Sequence, residues 1–230
     1  MIKGFQGTSL LDFPGRVASL LFFGGCNLTC PFCHNPLLVL EPETCADLDP
    51  AEILAELQAR QPFIDGVVIS GGEPTIAPNL SDVLHRVKDL GLAIKLDSNG
   101  LAPQVLQRLL EQQLIDALAI DLKTSLVRYP QLHPHPVDVD ALVASVELAC
   151  AAPIVVEFRT TCVPGWVDAA MIREWGERLH GAPLWALQQY HPGHALDERH
   201  RHLEPFAVAK VEALARLAAE YVEQVVVRGL

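Results

Sequence analysis

Six short apolar runs, at residues 17–23, 66–70, 93–97, 117–121, 154–160 and 184–189, recur along this 230-residue chain. Each has little polar alternation, the pattern of parallel strands covered on both faces. The stretches between them carry helical spacing. Leu80, Val83, Leu84, Val87 and Leu90 form one stripe, Leu142, Val143 and Val146 a second, and Val211, Leu214 and Leu217 a third. Strand and helix in alternation predict right-handed βαβ units. Six units are present, with a further strand candidate at 225–227, and eight would be needed to close a (β/α)₈ barrel. The expectation is therefore an α/β fold, either an incomplete barrel or an open doubly wound sheet. With no Ser/Gly-rich linker inside the chain, residues 1–230 read as one domain.

Composition narrows the function classes. Half the residues are hydrophobic, so a sizeable core is affordable and disorder is excluded. A net charge of −11 offers no basic footprint for a phosphate backbone, which argues against nucleic-acid binding. No apolar run approaches the ~18 residues of a membrane span, and the start, Met1-Ile2-Lys3-Gly4-Phe5-Gln6, lacks a signal-peptide core. The expectation is a soluble, cytoplasmic protein without a membrane partner.

Six cysteines in a reducing compartment do not suggest a disulfide framework. Cys26, Cys30 and Cys33 fall within eight residues, while Cys45, Cys150 and Cys162 are scattered. Cys150 and Cys162, in apolar surroundings, are expected as core filler. The trio brings three soft thiolates into one loop, a set that selects zinc, Cu(I) or an iron–sulfur cluster. A structural zinc site wants a fourth ligand at finger spacing, and His34, adjacent to Cys33, is poorly placed to supply it. Three ligands leave an open coordination position. Every other chemically unusual segment also follows an apolar run: Gly71–Pro74, Ser98–Gly100, Lys123, Pro164-Gly165 and His191. In parallel α/β folds the carboxyl ends of the strands carry the functional face, so these segments are expected to serve one site.

The run Cys26-x3-Cys30-x2-Cys33, with Phe32 before the last cysteine, resembles the signature of radical S-adenosylmethionine (SAM) enzymes. The resemblance implies a partial (β/α)₆ TIM-like barrel whose first strand leads into the loop of one [4Fe–4S] cluster. Cys26, Cys30 and Cys33 would be its ligands, and SAM would chelate the fourth iron and be cleaved to a 5′-deoxyadenosyl radical. Gly71-Gly72-Glu73-Pro74 matches the family's GGEP segment, which contacts the methionine amino group. Leu96-Asp97-Ser98-Asn99-Gly100 and Asp121-Leu122-Lys123 resemble the D-T-N-G and D-L-K segments of glycyl-radical activating enzymes, with Ser98 for threonine. By that likeness Lys123 and Ser98 would contact the cofactor, and Asp97 and Asp121 would bind it or a monovalent cation. Arg159, five residues before Pro164, would pair with the methionine carboxylate unless it pairs with Glu157. His191 takes the place of a histidine presented to the cofactor. His194, His200 and His202 carry no such match and are expected in a solvated loop.

Gly7-Thr8-Ser9-Leu10-Leu11-Asp12-Phe13-Pro14-Gly15 and the tail Cys33-His34-Asn35-Pro36 resemble the activating proteins of anaerobic ribonucleoside-triphosphate reductases. This implies hydrogen abstraction from a backbone glycine of a partner glycyl-radical enzyme, with a low-potential donor such as flavodoxin or ferredoxin. Two alternatives stay open: a radical enzyme acting on a small molecule or in base or cofactor modification, and a non-catalytic zinc-binding module.

Overall fold

The computed structural model describes residues 1–230. Sixteen principal elements run in the order β1 (Ile2–Ser9), β2 (Ala18–Phe23), α1 (Pro36–Leu40), α2 (Pro50–Arg60), β3 (Gly66–Gly71), α3 (Leu80–Asp89), β4 (Ala93–Ser98) and α4 (Pro103–Glu111). They continue through β5 (Ala117–Asp121), α5 (Val139–Cys150), β6 (Val155–Cys162), α6 (Ala169–Arg178), β7 (Trp185–Gln189), α7 (Glu198–Arg201), α8 (Val208–Ala218) and β8 (Val225–Arg228). Strand order in the sheet follows chain order, β1 through β8. All six expected strands and the 225–227 candidate are present. No helix is long and apolar enough to cross a membrane.

β1 is the addition. It pairs antiparallel with β2, with register shifts between Ile2 and Gly4 and between Gln6 and Ser9. Its sequence, IKGFQGTS, has two glycines and no apolar run, so neither period identifies it. What holds it is its neighbour: Gln6 aligns with Leu20 and Phe5 with Leu21. The cysteine loop consequently follows the second strand of the chain, which is the first of the parallel set.

Contacts cluster the chain into two compact units. The first comprises Met1–Asn27, Leu37–Ser98 and Ala102–Leu118. In it β2, β3 and β4 are parallel neighbours, with Ala18 opposite Gly66 and Gly66 opposite Ala93. Val67, Val68, Ile69, Ile94 and Leu96 are fully buried, as are Leu57 of α2 and Leu84 and Val87 of α3. Asp49 starts α2 by accepting a hydrogen bond from the Ala51 N–H, with Pro50 supplying the preset φ of a first helical residue.

The second unit comprises Leu28–Pro36, Asn99–Leu101 and Ala119–Leu230. Here β6, β7 and β8 are parallel, with Arg159 opposite Ala186 and Ala186 opposite Val226. Its core is aromatic, and each large ring has a partner for its polar end, as burial requires. Trp175 Nε1 donates to the Thr124 carbonyl at 2.8 Å, Trp185 Nε1 to Thr160 Oγ1 at 3.1 Å, and the Tyr190 hydroxyl to the His200 carbonyl at 2.8 Å. Cys162 is fully buried as expected, and burial pushes its thiol up to about 12. Cys150 is not core filler: it is exposed. It ends α5 one residue beyond buried Ala149, and about 100° of helix rotation turns it to solvent.

Candidate active site

In the first unit the end of β2 and the Gly71–Pro74 turn are zipped together by backbone. The Gly72 N–H donates to the Phe23 carbonyl at 2.8 Å, and the Glu73 N–H donates to the Gly25 carbonyl at 2.8 Å. The approach is close enough to require glycine. A Cβ on Gly72 would lie 2.0 Å from the Gly25 carbonyl oxygen and 3.4 Å from Cys26 Cβ. Gly71 adopts φ +125°, and a Cβ there would lie 2.3 Å from both the N and the O of Phe23. The first cysteine and the GGEP turn are thus set beside each other by main chain.

Glu73 is 1% exposed. Its Oε1 accepts from the Thr75 N–H at 3.1 Å, the Thr75 hydroxyl at 2.5 Å and the Ser98 hydroxyl at 2.9 Å. Serine at position 98 therefore keeps the hydroxyl contact that a threonine could make. On β4, Lys95 and Asp97 are both buried, with Lys95 Nζ donating to Asp97 Oδ1 at 2.6 Å. Lys95 is a residue that the sequence reading missed. A lysine flanked by isoleucine and leucine in a strand, two residues from an aspartate, was the available signal.

In the second unit Cys30 is buried and Cys33 half-buried, and the Cys33 N–H closes a turn onto the Cys30 carbonyl at 2.9 Å. All six cysteines are outside any disulfide. Phe32, between the last two, is buried edge-on against Trp166, with ring centroids 5.4 Å apart. Trp166 Nε1 donates to His200 Nε2 at 2.9 Å, and the Asp197 N–H donates to the Pro31 carbonyl at 2.8 Å. His200 is consequently not in a solvated loop. The α7 segment is docked on the cysteine loop, and Trp166 sits between them. His34 stacks on Tyr190 at 5.9 Å. Desolvation lowers the His34 pKa, and the charges of His191, His194 and Lys123 push it the same way.

At the end of β5, Asp121 accepts from Arg159 Nε at 2.8 Å and from Lys123 Nζ at 3.3 Å. Glu157 accepts from Arg228 at 2.8 Å. Burial on its own would raise the Asp121 pKa, but the Arg159 and Lys123 charges and their hydrogen bonds outweigh it. The carboxyl is held well below the usual carboxylate range. Asp121 thus gathers two cationic side chains at the end of β5. The loop is braced from beneath by residues that sequence alone did not single out. The Lys123 N–H donates to the Tyr129 hydroxyl at 2.9 Å, and the Thr124 hydroxyl donates to the Trp166 carbonyl at 2.7 Å. His191 is exposed at the β7 end, and a Cβ on Gly229 would lie 3.0 Å from its Nε2. Gly100 (φ +79°) turns the chain against Leu142.

Because the folded-state pKa of Asp121 is depressed, its stabilisation is fully present above the unfolded value of about 3.9 and is withdrawn as pH falls through the folded value. Asp121→Asn should therefore cost ~1–2 kcal/mol at neutral pH, allowing for partial exposure. In thermal melts from pH 6 to pH 2, the Tm gap between wild type and variant should close towards the acid end.

The profile of the radical SAM superfamily matches residues 20–174, from β2 into α6 and more than half of the chain. The chain belongs to the radical SAM superfamily. A Methanocaldococcus jannaschii protein, named as a glycyl-radical enzyme activating enzyme, is 30% identical over 100% of this chain and 96% of its own. The pyruvate formate-lyase-activating enzyme of Clostridium pasteurianum is 31% identical, over 53% of this chain and 52% of its own length. Among solved structures, Streptococcus suis SuiB bound to S-adenosylmethionine superposes with a TM-score of 0.68 at 15% identity, covering 91% of this chain and 52% of SuiB. That likeness is one of fold, the partial-barrel α/β architecture. Within the superfamily, the full-length relative places the chain among the glycyl-radical enzyme activating enzymes. A radical SAM enzyme carries a [4Fe–4S] cluster and uses SAM. The residues present fit both groups, with three thiols in one loop for the cluster and a glycine-only backbone approach beside the first of them.

Proposed function

We propose that this radical SAM enzyme activates an anaerobic ribonucleoside-triphosphate reductase by taking a hydrogen atom from a glycine of that partner. The observation that carries the activating role is the end-to-end relationship to the M. jannaschii relative. The Gly7–Gly15 stretch and the Cys33-His34-Asn35-Pro36 tail support this reductase as the partner.

Cys26, Cys30 and Cys33 would hold three irons, leaving one for SAM. When bound, cluster and SAM together supply a one-electron cleavage that yields methionine and the hydrogen-abstracting 5′-deoxyadenosyl group. A low-potential donor such as flavodoxin or ferredoxin provides the electron. The chain's residues bind and orient. Glu73, fixed by Thr75 and Ser98, offers its carboxylate to the methionine amino group, and the half-buried Gly71-Gly72 turn lies against the same end of the cofactor. Arg159 and Lys123, the two cations gathered at Asp121, take the methionine carboxylate. Phe32 seals the turn between two cluster ligands, and His191, exposed at a strand end, meets the cofactor from the β7 side. Each of these assignments is residue-specific and separable by mutation.

The test is anaerobic incubation of the reconstituted, reduced enzyme with SAM and the candidate reductase. A doublet glycyl signal in electron paramagnetic resonance, with one 5′-deoxyadenosine per radical, is the expected result. Deoxyadenosine without a glycyl signal would reject this partner. Turnover of a purine-like small molecule in its place would favour the base-modification reading, which has support in the partial match to 7-carboxy-7-deazaguanine synthase of Methanopyrus kandleri, 28% identical over 48% of this chain.

A further inference from the structure

The resemblance to glycyl-radical activating enzymes implies that Asp97 and Asp121 bind either the cofactor or a monovalent cation. The structure gives both carboxylates protein counter-ions instead. In the first unit, Lys95 and Asp97 stand two residues apart on β4, so their side chains leave the same face of the strand. Lys95 Nζ lies 2.6 Å from Asp97 Oδ1, with the lysine 1% and the aspartate 7% exposed. An ammonium this deeply buried is sustained only by close anionic and hydrogen-bonding partners, because its hydration is lost. In the second unit, Asp121 has Arg159 at 2.8 Å and Lys123 at 3.3 Å. A monovalent metal ion needs several oxygen ligands around it, and at each of these carboxylates a cationic nitrogen already stands at contact distance. The expected cation does not fit this residue set.

We propose that Lys95 is the built-in counter-cation of the site: its ammonium takes over the role of a monovalent metal ion beside Asp97, so that cofactor binding needs no added Na⁺ or K⁺. The inference rests on the SAM-binding reading above. Lys95 acts through Asp97 and is a positioning residue. Its stem, locked in the strand between Ile94 and Leu96, both fully buried, keeps the charge in place without a diffusible ion.

The experiment uses anaerobic, cluster-reconstituted enzyme in choline chloride, with choline replaced stepwise by Na⁺ or K⁺ at constant ionic strength. SAM affinity is measured by equilibrium dialysis and Tm by calorimetry. Wild-type Kd should stay within twofold, and Tm should not move. Lys95→Met should bind SAM tenfold or more weakly in choline and recover when Na⁺, K⁺ or methylammonium is added, whereas Lys95→Arg should remain cation-independent. A wild-type Kd that tightens tenfold with Na⁺ or K⁺ overturns the proposal, as does a Lys95→Met protein equally impaired in every salt. If Lys95→Met does not fold, the wild-type titration and Lys95→Arg decide. Absence of SAM binding in all salts would instead reject the cofactor reading. The wild-type Tm would still test Lys95, since a Tm that rises with Na⁺ or K⁺ contradicts a built-in counter-ion.

Discussion

Cys30→Ala is expected to abolish 5′-deoxyadenosine formation, a loss greater than 10³-fold, together with the iron-dependent visible absorbance after anaerobic reconstitution. Cys30 is the most buried of the three candidate ligands. Two thiolates cannot hold a cluster that three secure, and a cluster detached from the chain has no means of presenting an iron to SAM. The substitution should leave folding intact. Cys30 sits in a turn closed by backbone, the Cys33 N–H to the Cys30 carbonyl, and alanine preserves that bond. The circular dichroism spectrum should match wild type while iron content collapses. A Cys30→Ala protein that keeps its iron and its deoxyadenosine yield would remove this cysteine from the ligand set. Purified protein holding zinc and refusing iron would revive the zinc-module alternative.

Gly71→Ala should produce the second large effect, and by a different route. The added methyl meets the Phe23 N and O at 2.3 Å, both rigid strand backbone, in a φ of +125° that alanine rarely adopts. Steric overlap and conformational strain act together, for ~3–5 kcal/mol. At ~2–4 °C per kcal/mol for a chain of this size, Tm should fall by roughly 6–20 °C. SAM binding should weaken in whatever protein stays folded, since the distortion falls on the turn that carries Glu73. Gly193→Ala is the matched control. Nothing lies within 4 Å of its Cβ position and its φ is not positive, so Tm should stay within about 2 °C. Equal losses from both substitutions would show that the Gly71 geometry is not special.

Much of the fold was legible because parallel strands buried on both faces write themselves as apolar runs. β3, with four consecutive buried residues from Gly66 to Ile69, is such a run. β1 escaped because its pairing is made by the neighbour and by backbone, and a strand with two glycines and exposed alternate positions leaves no periodic trace. Cys150 was misjudged for a related reason. Apolar neighbours in sequence are not neighbours in space, and on a helix one residue's step rotates the side chain out of the core. His200 was misjudged in the opposite sense. Among charged and histidine-rich residues it read as solvated, yet Trp166, 34 positions away, supplies the indole N–H that fixes it.

The sequence by itself determined the chemistry-bearing local motifs: three thiols within eight residues, the Gly-Gly-Glu-Pro turn, and a polar segment after each apolar run. Such features are short-range, because ligand spacing, turn conformation and strand period are set by residues adjacent in the chain. Charge partnership belonged to the tertiary structure. Folding brought Arg159 to Asp121, 38 positions off, and Arg228 to Glu157, 71 positions off. A buried charge takes whichever opposite charge the packed strands bring within about 3 Å, since only that contact offsets its lost hydration, and distance along the chain does not enter.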